Sequence, residues 1–468
     1  MKWEPKKYME KAVGFAVERA CAGLFLDPGL GKTAIMLAVY KLLKGKKQTR
    51  GALVICPLRV AFGVWPKEIQ KWDDFKRLKV VVLHGPNKAK LFQQQSDIYV
   101  VNFDGLKWLY DTLAKVKGDW PFDILIVDES SKLKNMRSER SKLLRPMLAA
   151  FRRRYILTGS PAPNGLLDLF GQMYILDQGK TLGWWYTQYR DKYFYPSGYG
   201  GYTWKLKHGS EKKVHSLLKP RVLRMDAEDY LTLPKKFISD VWVELPKDAM
   251  LEYRRMENLL IADMKAGRVT AANSGVASMK CRQIAGGAVF KQEIGEKRTW
   301  LHVHDEKLEA LQELLDELQG QPVMVIYEFE HELTRFQGMK FFKQATVIAN
   351  TPAHKIGKIE DAWNAGDIPY LLCHPASMGH GLNLQEAGQG QIWFTPTYDF
   401  VLYDQTIRRM WRQGRKTPLF IYRILARNTV DIAVINALSS KGKTQGALNK
   451  ALRDYWIKRV ASGELADV

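Results

Sequence analysis

LDPGLGKT, residues 26–33, is the stretch on which the reading of the whole chain turns. It follows the apolar run AGLFLD (22–27) and leads into AIMLAVYKLL (34–43), which has the composition of a helix. A glycine-rich turn between strand and helix aims successive backbone N–H groups at phosphate oxygens, at the positive end of the helix dipole. Lys32 would neutralise the β- and γ-phosphates of a nucleotide, and Thr33 would offer its hydroxyl to Mg²⁺. Gly29 and Gly31 allow the backbone to come close. The full phosphate-loop pattern has glycine where Leu26 stands, so this is a variant.

Working outward, strand-like runs recur on both sides: ALVICP (52–57), VVVLHG (80–85), IYVVNF (98–103), ILIVDES (124–130) and YILTGS (155–160). Each leads into a turn and a helical stretch. Their near-continuous β-branched and leucine content suits a parallel sheet covered on both faces, and the alternation implies an α/β, doubly wound domain. Residues 166–230 break the rhythm and read as helical or irregular. LTLPKK (231–236) reads as a linker, since Pro234 discourages a continuous helix. A helical zone follows around 246–288. From about residue 300 the rhythm returns, with helical periodicity over 306–318 and strands at 323–329, 345–349, 370–375, 391–396 and 419–426. The expectation is two α/β lobes with helical insertions between them.

Two further turns of the first half carry chemistry. ILIVDESS (124–131) ends a strand in adjacent carboxylates, which puts Asp128 and Glu129 at the sheet's carboxyl edge, where ligands of such folds bind. Asp128 can hold Mg²⁺, and Glu129 can orient and deprotonate an attacking water. The alternative is a solvated turn after a buried strand. YILTGSPAPN (155–164) is a plain turn or, through Thr158, Gly159 and Ser160, a link from the nucleotide to the neighbouring lobe. In the second half, YDQTIRRMWRQGRK (403–416) should be helical, which places Gln405, Arg409 and Arg412 on one face. They form either a solvated basic face or arginines presented to a phosphoryl group across a cleft.

With 72 Lys and Arg against 49 Asp and Glu, the formal charge of +23 suggests a polyanionic partner, nucleic acid being the commonest. Cys21, Cys56, Cys281 and Cys373 lie far apart with no Cys-x-x-Cys pair. That argues against disulfides and zinc and for a reducing, cytoplasmic compartment. The nine histidines show no His-Glu-x-x-His spacing, so no metal beyond Mg²⁺ is expected. No apolar run reaches the roughly 18 residues of a membrane span, and the first residues lack a secretory signal's apolar stretch. The aromatic block 184–204 is either a stacking platform for nucleic acid or packing between inserted helices, the commoner role. Its glycines, proline and tyrosines suggest an exposed loop or hairpin.

In order, LDPGLGKT, ICPLRVAFGVWPKEI (55–69), LHG (83–85), VDESSKLKN (127–135), LTGSPAPNGLLDLF (157–170), VIYEFEHEL (325–333), SMGHGLNL (377–384) and QTIRRMWRQGRK (405–416) resemble the superfamily 2 helicases. More narrowly they resemble the Swi/Snf-type ATP-dependent DNA translocases, in a compact bacterial or phage-like form. NTVDIAVINALSSK (428–441) adds to that likeness, which spans roughly residues 3 to 448. The resemblance implies two tandem RecA-like lobes that hydrolyse ATP with Mg²⁺ while moving along DNA.

The implied divisions are 1–165 (ATP-binding lobe), 166–235 (insertion and linker), 236–299 (helical insertion), 300–448 (second lobe) and 449–468 (helical tail). The nucleotide would be held by Tyr8, Asp27, Pro28, Gly29, Leu30, Gly31, Lys32, Thr33 and Ala34, with Gly379, Gly381 and Asn383 sensing it from the second lobe. Thr33 and Asp128 would hold Mg²⁺. Lys32, Asp128, Glu129, Gln405, Arg409 and Arg412 would carry the catalysis. Arg59, His84, Gly85, Asn102 and Ser377 would touch the nucleic-acid backbone, and Thr158, Gly159 and Ser160 would couple the two activities.

Double-stranded DNA, gripped without regard to sequence, is the implied partner. A monomer is expected, with no membrane association. Strand separation or branched-DNA remodelling would use the same residues. An RNA helicase fits less well, because Asp-Glu-Ala-Asp and Ser-Ala-Thr are absent, and an inactive scaffold is disfavoured by the intact charged set. Three departures from the family pattern stand out: Met9 rather than glutamine after Tyr8, Ser130–Ser131 after the carboxylates, and Arg415 after Gly414.

Overall fold

The structure, a computed structural model, describes residues 1–116, 120–163, 165–197, 203–231, 233–265, 279–291, 299–349, 351–378, 382–439 and 454–455. The chain divides into two compact units, Met1–Thr232 and Leu233–Val468.

The first unit is built on β1 (Cys21–Leu26), β2 (Ala52–Cys56), β3 (Val80–Val82), β4 (Ile98–Asn102), β5 (Ile124–Asp128) and β6 (Arg153–Thr158). A short antiparallel hairpin follows, β7 (Phe194–Ser197) with β8 (Thr203–Leu206), and then β9 (Val222–Met225). The main sheet has the order β3-β4-β2-β5-β6-β1-β9, and every neighbouring pair is parallel. β2, β4 and β5 are buried at every residue, which is why each reads as an unbroken apolar run. A fully buried Val, Leu or Ile side chain there contributes roughly 1.5–3 kcal/mol.

Because all strands point one way, their following turns leave from one edge. β5, β6 and β1 are adjacent, so Asp128 and Thr158, which end β5 and β6, and Lys32, which opens the helix after β1, emerge along one stretch of that edge. Asn102 at the end of β4, Arg59 in the helix after β2 and His84 after β3 lie along the other half of the same edge.

Residues 166–230, read from sequence as helical or irregular apart from an expected loop or hairpin in the aromatic block, supply that hairpin and also the sheet's edge strand β9. Four residues (VLRM) are too short a run to be read as a strand without the neighbour that pairs with them. Part of the aromatic block packs in the core and part does not. Tyr189, Tyr193 and Phe194 are buried among the core aromatics, whereas Trp184 and Trp185 are 61% and 64% exposed.

The second unit carries β10 (Lys236–Val243), an antiparallel hairpin of β11 (Ala288–Lys291) and β12 (Thr299–His302), and β13 (Val323–Ile326). β14 (Thr346–Val347), β15 (Tyr370–Cys373), β16 (Gly390–Trp393) and β17 (Leu419–Ala426) complete it. Its main sheet runs β10-β17-β16-β13-β15-β14, again wholly parallel. β10 begins inside the stretch read as a linker. It pairs with β17 over eight residues, and Arg423 donates to both carboxylate oxygens of Asp240 at 2.6 and 2.9 Å. As a half-exposed edge strand it shows no long apolar run. Of the tail 449–468, only residues 454–455 are described.

The four cysteines are free, with Cys21, Cys56 and Cys373 inside strands. Among the described residues, no helix is long and apolar enough to cross a membrane.

Candidate nucleotide site and nucleic-acid face

In the first unit β1 ends at Leu26 and the helix Lys32–Gly45 begins after a turn in which Gly29 and Gly31 have φ of +93° and +74°. Both angles lie in the left-handed region that glycine reaches without strain. Lys32 folds back into this turn, its Nζ donating to the carbonyls of Leu26 (2.7 Å) and Asp27 (3.4 Å). Leu30 and Ala34 are buried beneath it. Pro28 lies against the next turn, since a Cβ on Gly159 would come within 2.8 Å of its Cδ. Met9 covers Gly31 in the same way, its Cε 2.8 Å from where a Cβ would stand. Met9 is therefore a packing group against the glycine-rich turn. Tyr8, beside it, is buried against Tyr230, and burial pushes its hydroxyl up to about 12. Asp27 accepts from the backbone N–H of Ala227 at 3.0 Å, fastening the chain beyond β9 to the loop.

At the end of β5, Asp128 is buried and accepts from Trp65 Nε1 at 3.2 Å. Burial, with Glu129 adding to it, pushes its carboxyl up to about 6, against the pull of Lys32. Glu129 has φ 61° and ψ 53°, a left-handed conformation uncommon outside glycine. Such strain collects at functional sites and costs of order 1 kcal/mol or more. Asp128 and Thr33 present a carboxylate and a hydroxyl, the hard oxygen donors that suit Mg²⁺ shared with phosphates. Among the described residues, no cluster of three or more His, Cys, Asp or Glu could hold a metal by itself.

The raised Asp128 value has a consequence for stability. Its ionisation is harder folded than unfolded, so the native state loses stability as pH rises from about 3.8 through about 6. Asp128→Asn keeps an acceptor for Trp65 and removes the charge. In metal-free buffer at pH 8 it should be the more stable protein by on the order of 1–3 kcal/mol, an advantage that vanishes near pH 4. Denaturant titrations of both proteins at the two pH values check this.

Gln172 and Trp65 are two members of the site that the motifs did not single out. Ser130 is fully buried and donates to Gln172 Oε1 at 2.8 Å. Gln172 Nε2 in turn donates to the carbonyls of Pro161 (2.5 Å) and Asp168 (3.0 Å). The serine after the carboxylates is thus tied through one side chain to the Thr-Gly-Ser turn. The helix Leu169–Asp177 comes close enough for this at Gly171, where any Cβ would meet the carbonyls of Leu133 and Lys134. Thr158 is buried and its Oγ1 accepts from the N–H of Ser160 at 3.1 Å.

Along the other half of the edge, Arg59 sits in the helix Leu58–Gly63 directly after β2, and burial pulls its guanidinium down. His84 packs edge-on to Phe62 at 5.6 Å, Gly85 has φ +78°, and Asn102 is buried at the end of β4.

In the second unit, Asp399 caps the helix Phe400–Met410 by accepting from the N–H groups of Val401 and Leu402 at 2.8 and 3.0 Å. Such a cap contributes about 1 kcal/mol. The helix ends at Met410, so Gln405 and Arg409 are helical and Arg412 is not, contrary to the helix expected through 416. Trp411 leaves the helix to donate to Pro234 O at 2.9 Å, and Gly414, with φ +99°, turns the chain. Arg409 and Arg412 nevertheless converge. Both donate to the carbonyl of Leu382, at 3.5 and 3.3 Å.

That carbonyl directly follows Gly379 and Gly381, which lie outside the described residues, as does Asn164. Asn383 donates to Glu360 at 3.3 Å, and Ser377 lies in the short helix Pro375–Met378 after β15. Arg415 is a structural pin. Its guanidinium is buried, donates to the carbonyls of Gly388 and Pro418, and is drawn down to about 10 by desolvation.

A model of the SNF2-related domain matches residues 8–296. The chain belongs to the SNF2-related family. Protein p41 of Acyrthosiphon pisum secondary endosymbiont phage 1 is 32% identical over 466 residues, covering 96% of this chain and 98% of that one. An uncharacterized ATP-dependent helicase of Mycoplasma pneumoniae is 24% identical over 91% of this chain, which spans 40% of the helicase's length. The Sulfolobus solfataricus SWI2/SNF2 ATPase core in complex with dsDNA is 20% identical, covering 99% of this chain and 97% of that one, with a TM-score of 0.45. In this SNF2-related protein, the sequence motifs from LDPGLGKT through LTGSPAPNGLLDLF all lie within the matched residues.

Proposed function

We propose that this SNF2-related protein is an ATP-driven motor that translocates on double-stranded DNA. The observation that carries the reading is the gathering of Lys32, Asp128 and Glu129 at the carboxyl edge of one sheet, after β1 and at the end of β5 with only β6 between those strands, and with Glu129 held in a left-handed backbone. The phosphate loop binds the triphosphate, Lys32 exchanging its carbonyl partners for phosphate oxygens. Thr33 and Asp128 would hold Mg²⁺, which would supply positive charge to the phosphates. Glu129 orients the attacking water and takes its proton. Arg409 and Arg412, converging on one carbonyl of the second unit, supply positive charge to the phosphoryl group, with Gln405 beside them.

Arg59, His84, Gly85, Asn102 and Ser377 grip the DNA backbone. Contacts to phosphate make binding indifferent to sequence and steeply salt-dependent, in keeping with a charge of +23. The mycoplasma relative's name as an ATP-dependent helicase agrees with ATP as the fuel.

The test is ATP turnover measured with duplex DNA, single-stranded DNA, branched DNA and RNA. Duplex should stimulate most, and stimulation by RNA alone would defeat the proposal. The Ser130–Gln172–Pro161 link gives a finer expectation. Gln172→Leu should leave the basal rate within about twofold and lower the stimulation by DNA several-fold, an order-of-magnitude expectation for losing a buried hydrogen-bonded link. The ratio of stimulated to basal rate is the readout.

A further inference from the structure

Most large apolar side chains of the first unit are buried, yet Trp184 and Trp185 stand side by side, 61% and 64% exposed. They border a groove of about 690 Å³ with Tyr186, Arg137, Arg145 and Arg190. Residues 134–137 after β5, the helix Leu169–Asp177 after β6 and the helix Tyr186–Tyr193 form its walls, and no residue of the glycine-rich turn 27–31 lines it. Three features define what it fits. Trp184 meets Tyr174 edge-on at 6.5 Å and Tyr186 meets Phe170 edge-on at 5.6 Å, arrangements that hold the rings in place. Arg145 lies over the Tyr174 ring at 5.2 Å and Arg190 over Trp204 at 4.0 Å, so the guanidiniums are held among the rings. Arg137 and Arg145 are exposed, and neither has a carboxylate partner among the described residues.

Exposed indoles interleaved with arginines suit a ligand that is both polyanionic and flat-ringed. Duplex DNA offers only its phosphates, because its base faces are stacked on one another. Unpaired nucleotides offer both phosphates and open base faces, and stacking on aromatic rings tolerates any sequence. An acidic peptide would satisfy the arginines and leave the two tryptophans without a partner surface. We propose that this groove binds unpaired nucleotides of DNA, bases stacked on Trp184 and Trp185 and phosphates on Arg137 and Arg145. It gives the protein a means of sensing a single-stranded segment beside the duplex. The inference goes beyond duplex translocation and does not need ATP hydrolysis to hold.

The test uses the full chain without nucleotide, binding fluorescent oligothymidylate, a blunt duplex and a forked duplex. Trp184→Ala with Trp185→Ala should weaken oligothymidylate and fork binding by about tenfold or more, by the strength of base–aromatic stacking. Blunt-duplex binding and duplex-stimulated ATP turnover should stay within about twofold. Trp184→Phe with Trp185→Phe should recover most of the loss, since a ring still stacks. Photocrosslinking of a halogenated-uracil oligonucleotide should map to these two positions in the wild-type chain. Wild-type affinity for oligothymidylate in the alanine variant would overturn the proposal. So would an equal loss of duplex and single-strand binding, or a variant deficient only in capturing an acidic peptide. Failure of duplex to stimulate ATP turnover in the wild type would count against the motor reading alone.

Discussion

Glu129→Gln is expected to lower the turnover number for ATP by about 10²–10⁴, the usual contribution of a general base, while nucleotide affinity changes little. The two residues are nearly the same shape, so the left-handed turn at Glu129 persists and only the capacity to take a proton is lost. Glu129→Gly separates chemistry from backbone. Glycine occupies φ 61° without strain, so this variant should be as stable as the wild type or more so, by up to about 1 kcal/mol, and equally inactive. A merely structural Glu129 would give the opposite pattern, with glycine active. Single-turnover hydrolysis alongside binding of a fluorescent nucleotide resolves the two.

The second large effect is on folding. Lys307 and Asp431 form an ion pair at 2.7 Å with each side chain 1% exposed. The pair joins the helix Glu306–Glu317 to the helix Asp431–Ser439. Lys307 also donates to Phe394 O at 3.3 Å, and Asp431 accepts from the N–H of Ala426 at 3.0 Å. Asp431→Ala leaves an ammonium in the core with one weak carbonyl contact, and should cost about 3–5 kcal/mol. Replacing both residues, with Lys307→Met and Asp431→Leu, should recover much of that loss, because the buried charge is gone. Denaturant midpoints of the wild type, each single variant and the double variant give the coupling directly. Additive losses would mean that the pair does not act as one.

Asp431 also shows what the sequence could and could not convey. Its stretch, NTVDIAV, is part of the family likeness, but only the fold reveals that the aspartate holds a lysine far away in sequence. The buried strands were legible because both faces are covered, so their residues are uniformly apolar. The places of the glycine-rich turn and the carboxylate pair, each at the end of a buried strand, were legible because an apolar run emptying into a polar turn marks them. β9 and β10 were not, since an edge strand needs one neighbour and keeps no distinctive pattern.

Trp65 and Gln172 escaped notice for another reason. Their partners, Asp128 and Ser130, lie 63 and 42 residues away, and no periodicity records such a bond. The helix carrying Gln405 and Arg409 was legible, and its end was not. The exit at Trp411 depends on the carbonyl of Pro234, far away in sequence. Arg412 therefore reaches the same carbonyl as Arg409 from outside the helix rather than from its face.

Translocation on duplex DNA is tested most directly by displacement of a triplex-forming strand placed downstream on a closed duplex. The expected result is ATP-dependent displacement by the wild-type chain without separation of the underlying strands, and none by Lys32→Ala. Duplex-stimulated ATP hydrolysis without any displacement, or displacement only where the duplex itself opens, would contradict it.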